Sequence, residues 1–331
     1  MTTTAEAPRE GKALIDATRP YADEIRWLSW FHLLSGLALM GGGMTAAVML
    51  GPWWARLLAS VLVALCMLKL FIVYHDYMHR ALLKRSAVAK AIMHLFGYFI
   101  LAPPAIWKRT HDYHHANTAK MVGSQIGSFP TMSKPMYERL SKRNQLLYRL
   151  ARHPLNILFG WLTVFLLGMC VRPFVTKPKE NADAGIALVI YGGIAAVMIY
   201  FLGLPAYLLA VLLPHAIAAA IGSYMFYAQH NFPGITIRSR HDWSYTDAAL
   251  QASSYMKMGA VMEWFSGNIG YHHVHHLNSS IPFYNLPKAM AGVPELQTPA
   301  ETSLGIGDIL RCLELKVWDA DAGEMVGYPE E

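Results

Sequence analysis

Histidine recurs in this sequence at spacings that a metal ion could use. His272, His275 and His276 stand at i, i+3 and i+4, so on a helix all three rings share one face. The same spacing returns at His111, His114 and His115, and His75 and His79 form an i, i+4 pair. Neutral imidazole is a ligand for iron, zinc, copper and nickel. Eight such positions are more than one ion uses, so the pattern points to two ions. Cys66, Cys170 and Cys312 are isolated and odd in number, which suggests neither a disulfide framework nor a thiolate zinc site. The Glu-x-x-His motif of soluble di-iron bundles is not found beside the histidines.

Elements that could hold these clusters follow from the apolar runs. Apolar residues make up 54% of the 331 and charged residues 15%, a balance that points to a membrane protein. Residues 27–50 and 53–74 are two long apolar runs separated by Gly51-Pro52, and residues 186–201 and 205–228 are two more around Gly203. About 24 helical residues at ~1.5 Å each cross the roughly 30 Å hydrocarbon layer. The expected architecture is an all-α integral membrane protein of four spans in two hairpins. Trp27, Trp30, Trp53 and Trp54 stand at the interfaces, and Lys69 extends its stem toward the surface. Residues 91–107, interrupted by His94 and Pro103-Pro104, are short for a span and read as interfacial or re-entrant, and residues 155–171 read as a helix lying in the interface rather than a fifth span. Residues 134–152 read as one basic surface helix.

Charge gives the orientation. Of the 28 Lys and Arg, 16 lie between residues 80 and 179, where only Asp112 and Glu138 are acidic. The two hairpin tips have almost none. The positive-inside bias therefore places both termini and the long connection in the cytoplasm, and every histidine cluster falls on that side. A polar tail over residues 1–26, with no signal-peptide pattern, precedes a membrane domain over 27–331. Residues 75–179 and 229–331 form its cytosolic helical cap. A bacterial inner membrane is the expected location. Nothing suggests nucleic acid as a partner.

The patterns His75/His79, His111/His114/His115 and His272/His275/His276 resemble those of the membrane fatty acid desaturase and hydroxylase superfamily. Further stretches are similar to its acyl-lipid, Δ12-like branch: Phe226-Tyr227-Ala228-Gln229-His230, Trp264-Phe265-Ser266-Gly267-Asn268-Ile269-Gly270-Tyr271-His272 and Ile281-Pro282-Phe283-Tyr284-Asn285-Leu286-Pro287. The resemblance implies a ninth ligand, His230, and leaves His273 out. It implies two iron ions, O2 as co-substrate, a fatty acyl lipid as substrate and a cis double bond as product. The electron donor is expected to be a separate protein of ferredoxin type. Phe226 stands four residues before His230, where acyl-CoA desaturases have Asn, which weakens an acyl-CoA reading. Asp76 and Asp112, each following the leading histidine of its cluster, are expected to accept ring N–H bonds. Asn268 is a further candidate for that role.

Two other functions compete. A hydroxylase or oxygenase of the same superfamily, acting on a fatty acid, alkane or carotenoid, would share the histidines. A metal carrier would place its ligands inside the spans, whereas these lie at or beyond their ends. His32, His94, His153 and His241 are isolated and read as packed or exposed. His215, within the fourth span, reads as a hydrogen-bonded neutral ring too far from His230 to join it.

Overall fold

The computed structural model describes residues 8–329. Residues 1–7 of the polar tail lie outside the described residues. The rest of that stretch is ordered: α1 (Gly11–Thr18) buries Leu14 and Thr18. Arg9 is anchored through Nε and Nη2, which donate to the Glu295 carboxylate at 2.8 and 2.7 Å.

Among the described residues, four helices are long and apolar enough to cross a membrane. α2 (Arg26–Met49) and α3 (Trp53–Met78) are separated by Gly51-Pro52 and its neighbour Leu50. They pack closely because small residues on α2 face α3. A Cβ on Gly36 or Gly43 would come within 2.8 Å of Leu70 or Val63. α3 runs four residues past the expected 53–74, so His75 lies within the helix and His79 caps it. In place of one segment over 91–107, α4 (Ala87–Phe99) and α5 (Pro104–Asn117) meet at 87° across the break before Pro104.

The basic stretch 134–152 is not one helix. α6 (Lys134–Glu138) and α7 (Lys142–Ala151) are separate, because the Ser133 and Ser141 hydroxyls each accept a backbone N–H and start a new helix. α8 (Pro154–Leu158) is followed by a π-helical stretch, Trp161–Val171, that runs into α9 (Arg172–Thr176). α10 (Ala182–Leu202) is the third long helix. The fourth is a continuous rod of α11 (Leu204–Tyr207), a π-helical turn over Leu208–Leu212 and α12 (Leu213–Gln229). Pro214 has no N–H for the carbonyl four residues back, and the widened turn lies just before it.

The remaining chain folds over the ends of α3 and α12. It comprises α13 (Tyr245–Gln251), α14 (Gly259–Phe265), α15 (His272–Leu277), α16 (Leu286–Gly292) and α17 (Ile306–Glu314). The expectation of purely helical structure needs a small correction here. β1 (Tyr255–Lys257) pairs in parallel with β2 (Glu301–Ser303), and β3 (Val317–Asp319) pairs antiparallel with β4 (Glu324–Val326). Both sheets join segments too short to bury an apolar face alone.

Lys69 and Arg152, two buried cations, organise the join between the long helices and the segments folded over their ends. Lys69 does not reach the surface as expected. It is 3% exposed, donates to the Trp264 carbonyl at 2.8 Å and lies over the Trp264 and Phe283 rings. Arg152 is 1% exposed. Its guanidinium donates to Pro130 O, Thr131 Oγ1, the Tyr227 hydroxyl, Asn231 Oδ1 and Leu315 O. It thereby ties the end of α7 to the end of α12 and to the C-terminal segment.

Candidate metal centre

Each histidine cluster sits where a helix ends against the others. α3 delivers His75 in its last turn and His79 at its C-cap. α5 carries His111, His114 and His115 on its buried side, and its first two free N–H groups are taken by the Asp183 carboxylate. His230 ends α12. α15 presents His272, His275 and His276, with the His276 carbonyl held by the Tyr245 hydroxyl at 2.6 Å.

These nine rings fall into two sets. His75, His79, His111, His115 and His275 form one, and His114, His230, His272 and His276 the other. Within each set one nitrogen per ring lies within 4.8 Å of all the others. Among the described residues neither set includes a carboxylate or thiolate. His79 and His230 are partly exposed and the other seven are buried.

Nitrogen separations decide between hydrogen bonding and ligation. His114 Nε2 and His272 Nε2 both lie against His230 Nε2, at 3.0 and 2.9 Å. His276 Nε2 is 3.1 Å from His272 Nε2. In the other set, His115 Nε2 is 3.2 Å from His111 Nε2 and 3.1 Å from His275 Nε2. Two nitrogens about 2.1 Å from one ion and about 90° apart stand ~3 Å from each other. His230 Nδ1 donates to the Ala252 carbonyl at 2.9 Å, so its Nε2 carries a lone pair that points at two other imidazoles. His75 Nδ1 is likewise 2.9 Å from Asp76 Oδ1, which turns its Nε2 inward as an acceptor. Lone pairs that converge on one another in a buried site need an electrophile, and a metal cation in each set fits that donor arrangement.

Burial keeps the rings neutral. Desolvation, followed by the neighbouring imidazoles, pushes His111, His114, His115, His272, His275 and His276 well below the usual 6.5. Burial alone brings His230 down to about 4, against the hydrogen bond to Ala252. All are therefore neutral at pH 7, each with one ring nitrogen left as a lone-pair donor, the state a metal requires.

The supporting residues divide less evenly than the spacing suggests. Asp76 is buried, and its second oxygen accepts the Phe283 N–H at 2.7 Å, so it fixes both a ring and the loop against it. Asp112 does not touch an imidazole. It is half exposed and pairs with Lys108 at 2.7 Å on the outer side of α5. Asn268 donates to the Phe283 carbonyl at 3.2 Å rather than to His272. His273 turns away and meets the Leu296 carbonyl at 3.0 Å. His215 lies between the Val211 and Phe99 carbonyls, apart from both sets, while His32 packs on Phe283 and His153 Nδ1 accepts the Leu155 N–H.

Two features were not anticipated. Trp107 stacks on His111 at 4.3 Å and stands edge-on to His75, which walls the five-histidine set from the apolar interior. On the far side of that wall, Phe71 contacts Trp107 and lines an apolar pocket of about 50 Å³ with Met67, Phe165 and Ala218. An aromatic residue one turn before a histidine pair is the signal that could have identified Trp107 and Phe71.

Comparison with known proteins gives a consistent result. The profile of the fatty acid desaturase family matches residues 51–304. A fatty acid desaturase of Bacillus subtilis (strain 168) is 29% identical over 270 residues, covering 81% of this chain and 76% of the relative. An sn-1 oleoyl-lipid 12-desaturase of Picosynechococcus is 24% identical over 279 residues, covering 81% and 77%. An sn-1 acyl-lipid omega-3 desaturase (ferredoxin) of Nostoc is 23% identical over 284 residues, covering 80% and 74%.

Proposed function

Because the chain belongs to the fatty acid desaturase family, we propose that it is a membrane acyl-lipid desaturase whose nine histidines hold two iron ions. His75, His79, His111, His115 and His275 bind one ion, and His114, His230, His272 and His276 bind the other. The observation that carries this reading is the division of nine rings, seven of them buried, into two convergent sets. When bound, the irons supply the reduction of O2 to two waters, coupled to the removal of two vicinal hydrogens from an acyl chain and the uptake of two electrons and two protons.

The chain's own contribution is geometry and exclusion. Asp76 and the Ala252 carbonyl hold the rings of His75 and His230 in the tautomer that ligates. Trp107, stacked on His111, and Phe71, in contact with Trp107, give the histidines an apolar flank along α3, beside which an acyl chain would lie. A displacement of about 1 Å at such a site costs roughly 100-fold in rate, so a cluster built on helix ends suits the task. The donor is a separate ferredoxin-type protein, in keeping with the Nostoc relative, an omega-3 desaturase (ferredoxin) by name. The four spans form two hairpins, with the termini and histidines on the cytoplasmic side of a bacterial inner membrane. The excess of cations between residues 80 and 179 supports that orientation.

Expression in a bacterium lacking desaturases, followed by mass spectrometry of its fatty acids, tests the reading. New double bonds are the expected result. Hydroxylated or keto products would transfer the chain to the oxygenase branch, and an unchanged profile from iron-loaded protein with a competent donor would overturn the proposal.

A further inference from the structure

A cleft of about 760 Å³ opens immediately beyond the end of α3, floored by Tyr77 and Met78. Five cations line it: Arg80, Lys84 and Arg85 from the segment after α3, and Lys108 and Arg109 from α5. Lys108 is paired with Asp112, and Arg109 donates to Asn181 Oδ1 at 2.9 Å. Arg80, Lys84 and Arg85 are exposed, and among the described residues no carboxylate lies within ion-pair distance of their side chains.

The segment that presents them is built to do so. Arg80, Leu83 and Arg85 adopt φ values of 60°, 52° and 60°, a region that costs non-glycine residues energy. Burial compensates: Ala81, Leu82 and Leu83 are all 0% exposed. The Ala81 N–H donates to the Asp76 carbonyl, and the Leu83 N–H to Glu24 Oε1 at 2.6 Å. The buried trio turns inward, and the three cations that flank it are left on the outer side.

Neighbouring residues set the depth of the cleft. Arg26, the first residue of α2, donates to the Lys84 carbonyl at 3.0 Å, and the adjacent Trp27 is 71% exposed. Met78 is the last residue of α3. The outer side of α4 exposes Val88 and Leu95, one heptad apart. The cleft therefore lies where two spans leave the hydrocarbon, with an apolar helix face beside it and a histidine of the candidate metal centre, His79, next to its floor.

We propose that this cleft binds the phosphodiester headgroup of a membrane glycerophospholipid and so selects the lipid whose acyl chain enters the site. The proposal rests on the desaturase reading only for the fate of the chain, and the headgroup contact is measurable without catalysis. The three unpaired cations give a phosphate charge-assisted hydrogen bonds at the headgroup layer, where cations near an anionic surface act most strongly.

The test uses full-length protein in nanodiscs and the triple variant Arg80→Gln, Lys84→Gln, Arg85→Gln. Phosphatidylglycerol retained by the purified protein is counted by mass spectrometry. Desaturation is assayed on phosphatidylglycerol-linked and uncharged glycolipid-linked chains, with either a protein donor or a small-molecule reductant. We expect retained phosphatidylglycerol to fall, and KM for the phospholipid to rise about tenfold or more. The kcat and the rate on the glycolipid should be unchanged. Equal retention by both proteins overturns the proposal, as does an equal loss on both lipids. A defect that vanishes when the small reductant replaces the protein donor also overturns it, and assigns the cleft to donor docking. Wild type that retains the phospholipid through these cations but makes no double bond would remove the desaturase reading and leave the headgroup site standing.

Discussion

Arg152 Nη2 and Asn231 Oδ1 are 2.6 Å apart, both residues buried, one position beyond His230. The Asn231 amide in turn donates to the Cys312 and Leu315 carbonyls. The placement of a four-set histidine thus depends on a guanidinium that comes from the far end of α7. Arg152→Met would take the guanidinium donor from Asn231 Oδ1 and from the Pro130 carbonyl, while Leu315 O would keep the Asn231 and Tyr227 donors. The expected loss is on the order of 2–4 kcal/mol, seen as a lower unfolding midpoint in detergent. Arg152→Lys should recover only part of it, since one ammonium cannot span five acceptors.

His275→Ala and His276→Ala remove one ligand from each set. Both are expected to abolish product while the protein still inserts in the membrane. Membrane fractionation and fatty acid analysis of the same cells check this. Activity retained by either variant would refute its assigned role.

Asp76→Asn tests the carboxylate that faces His75 and Phe283 at once. Both of its oxygens accept hydrogen bonds, and an amide offers one acceptor. Either the bond to His75 is lost or the amide N–H donates to Nδ1 and leaves Nε2 protonated, and in both cases iron retention or activity should fall about 10–100-fold. Asp112→Asn is the control. Its pair with Lys108 is solvent-exposed, so activity should stay near wild type and stability change by under ~1 kcal/mol.

Acid should destabilise the metal-free protein. Burial brings His230 and His273 from 6.5 to about 4. The unfolded chain takes up protons below about pH 6.5, while the folded chain resists until about pH 4. The stability from these neutral rings is therefore fully present above pH 6.5 and is lost as pH falls toward 4. Unfolding midpoints of chelator-treated protein at pH 7.5 and pH 5 measure it, and a midpoint that does not drop at pH 5 contradicts the buried neutral state.

The histidine spacing was readable because ligands on one helix face repeat at i, i+3 and i+4, which is local information. The four long helices were readable for the same reason: length and apolarity decide them. Asp76 and Asp112 show where that locality stops. Each follows a leading histidine by one residue, yet Asp76 is covered by the Phe283 loop and Asp112 faces solvent. Which side of a helix is covered is settled by segments some 200 residues away. Lys69 is similar, since only the tertiary contact with Trp264 and Phe283 tells a buried cation from one that reaches the surface. The break between α6 and α7 came from Ser141, a capping signal outweighed by the regular recurrence of Arg.

His114 and His115 are successive residues on α5 but belong to opposite sets, as do His275 and His276 on α15. Two short helices therefore act as rulers shared by both histidine sets, with a spacing graduated by the ~1.5 Å rise of the α-helix. Neither set can widen or rotate without carrying the other. Filling one position stiffens the mould for its neighbour, so the two ions would be acquired and surrendered as a couple.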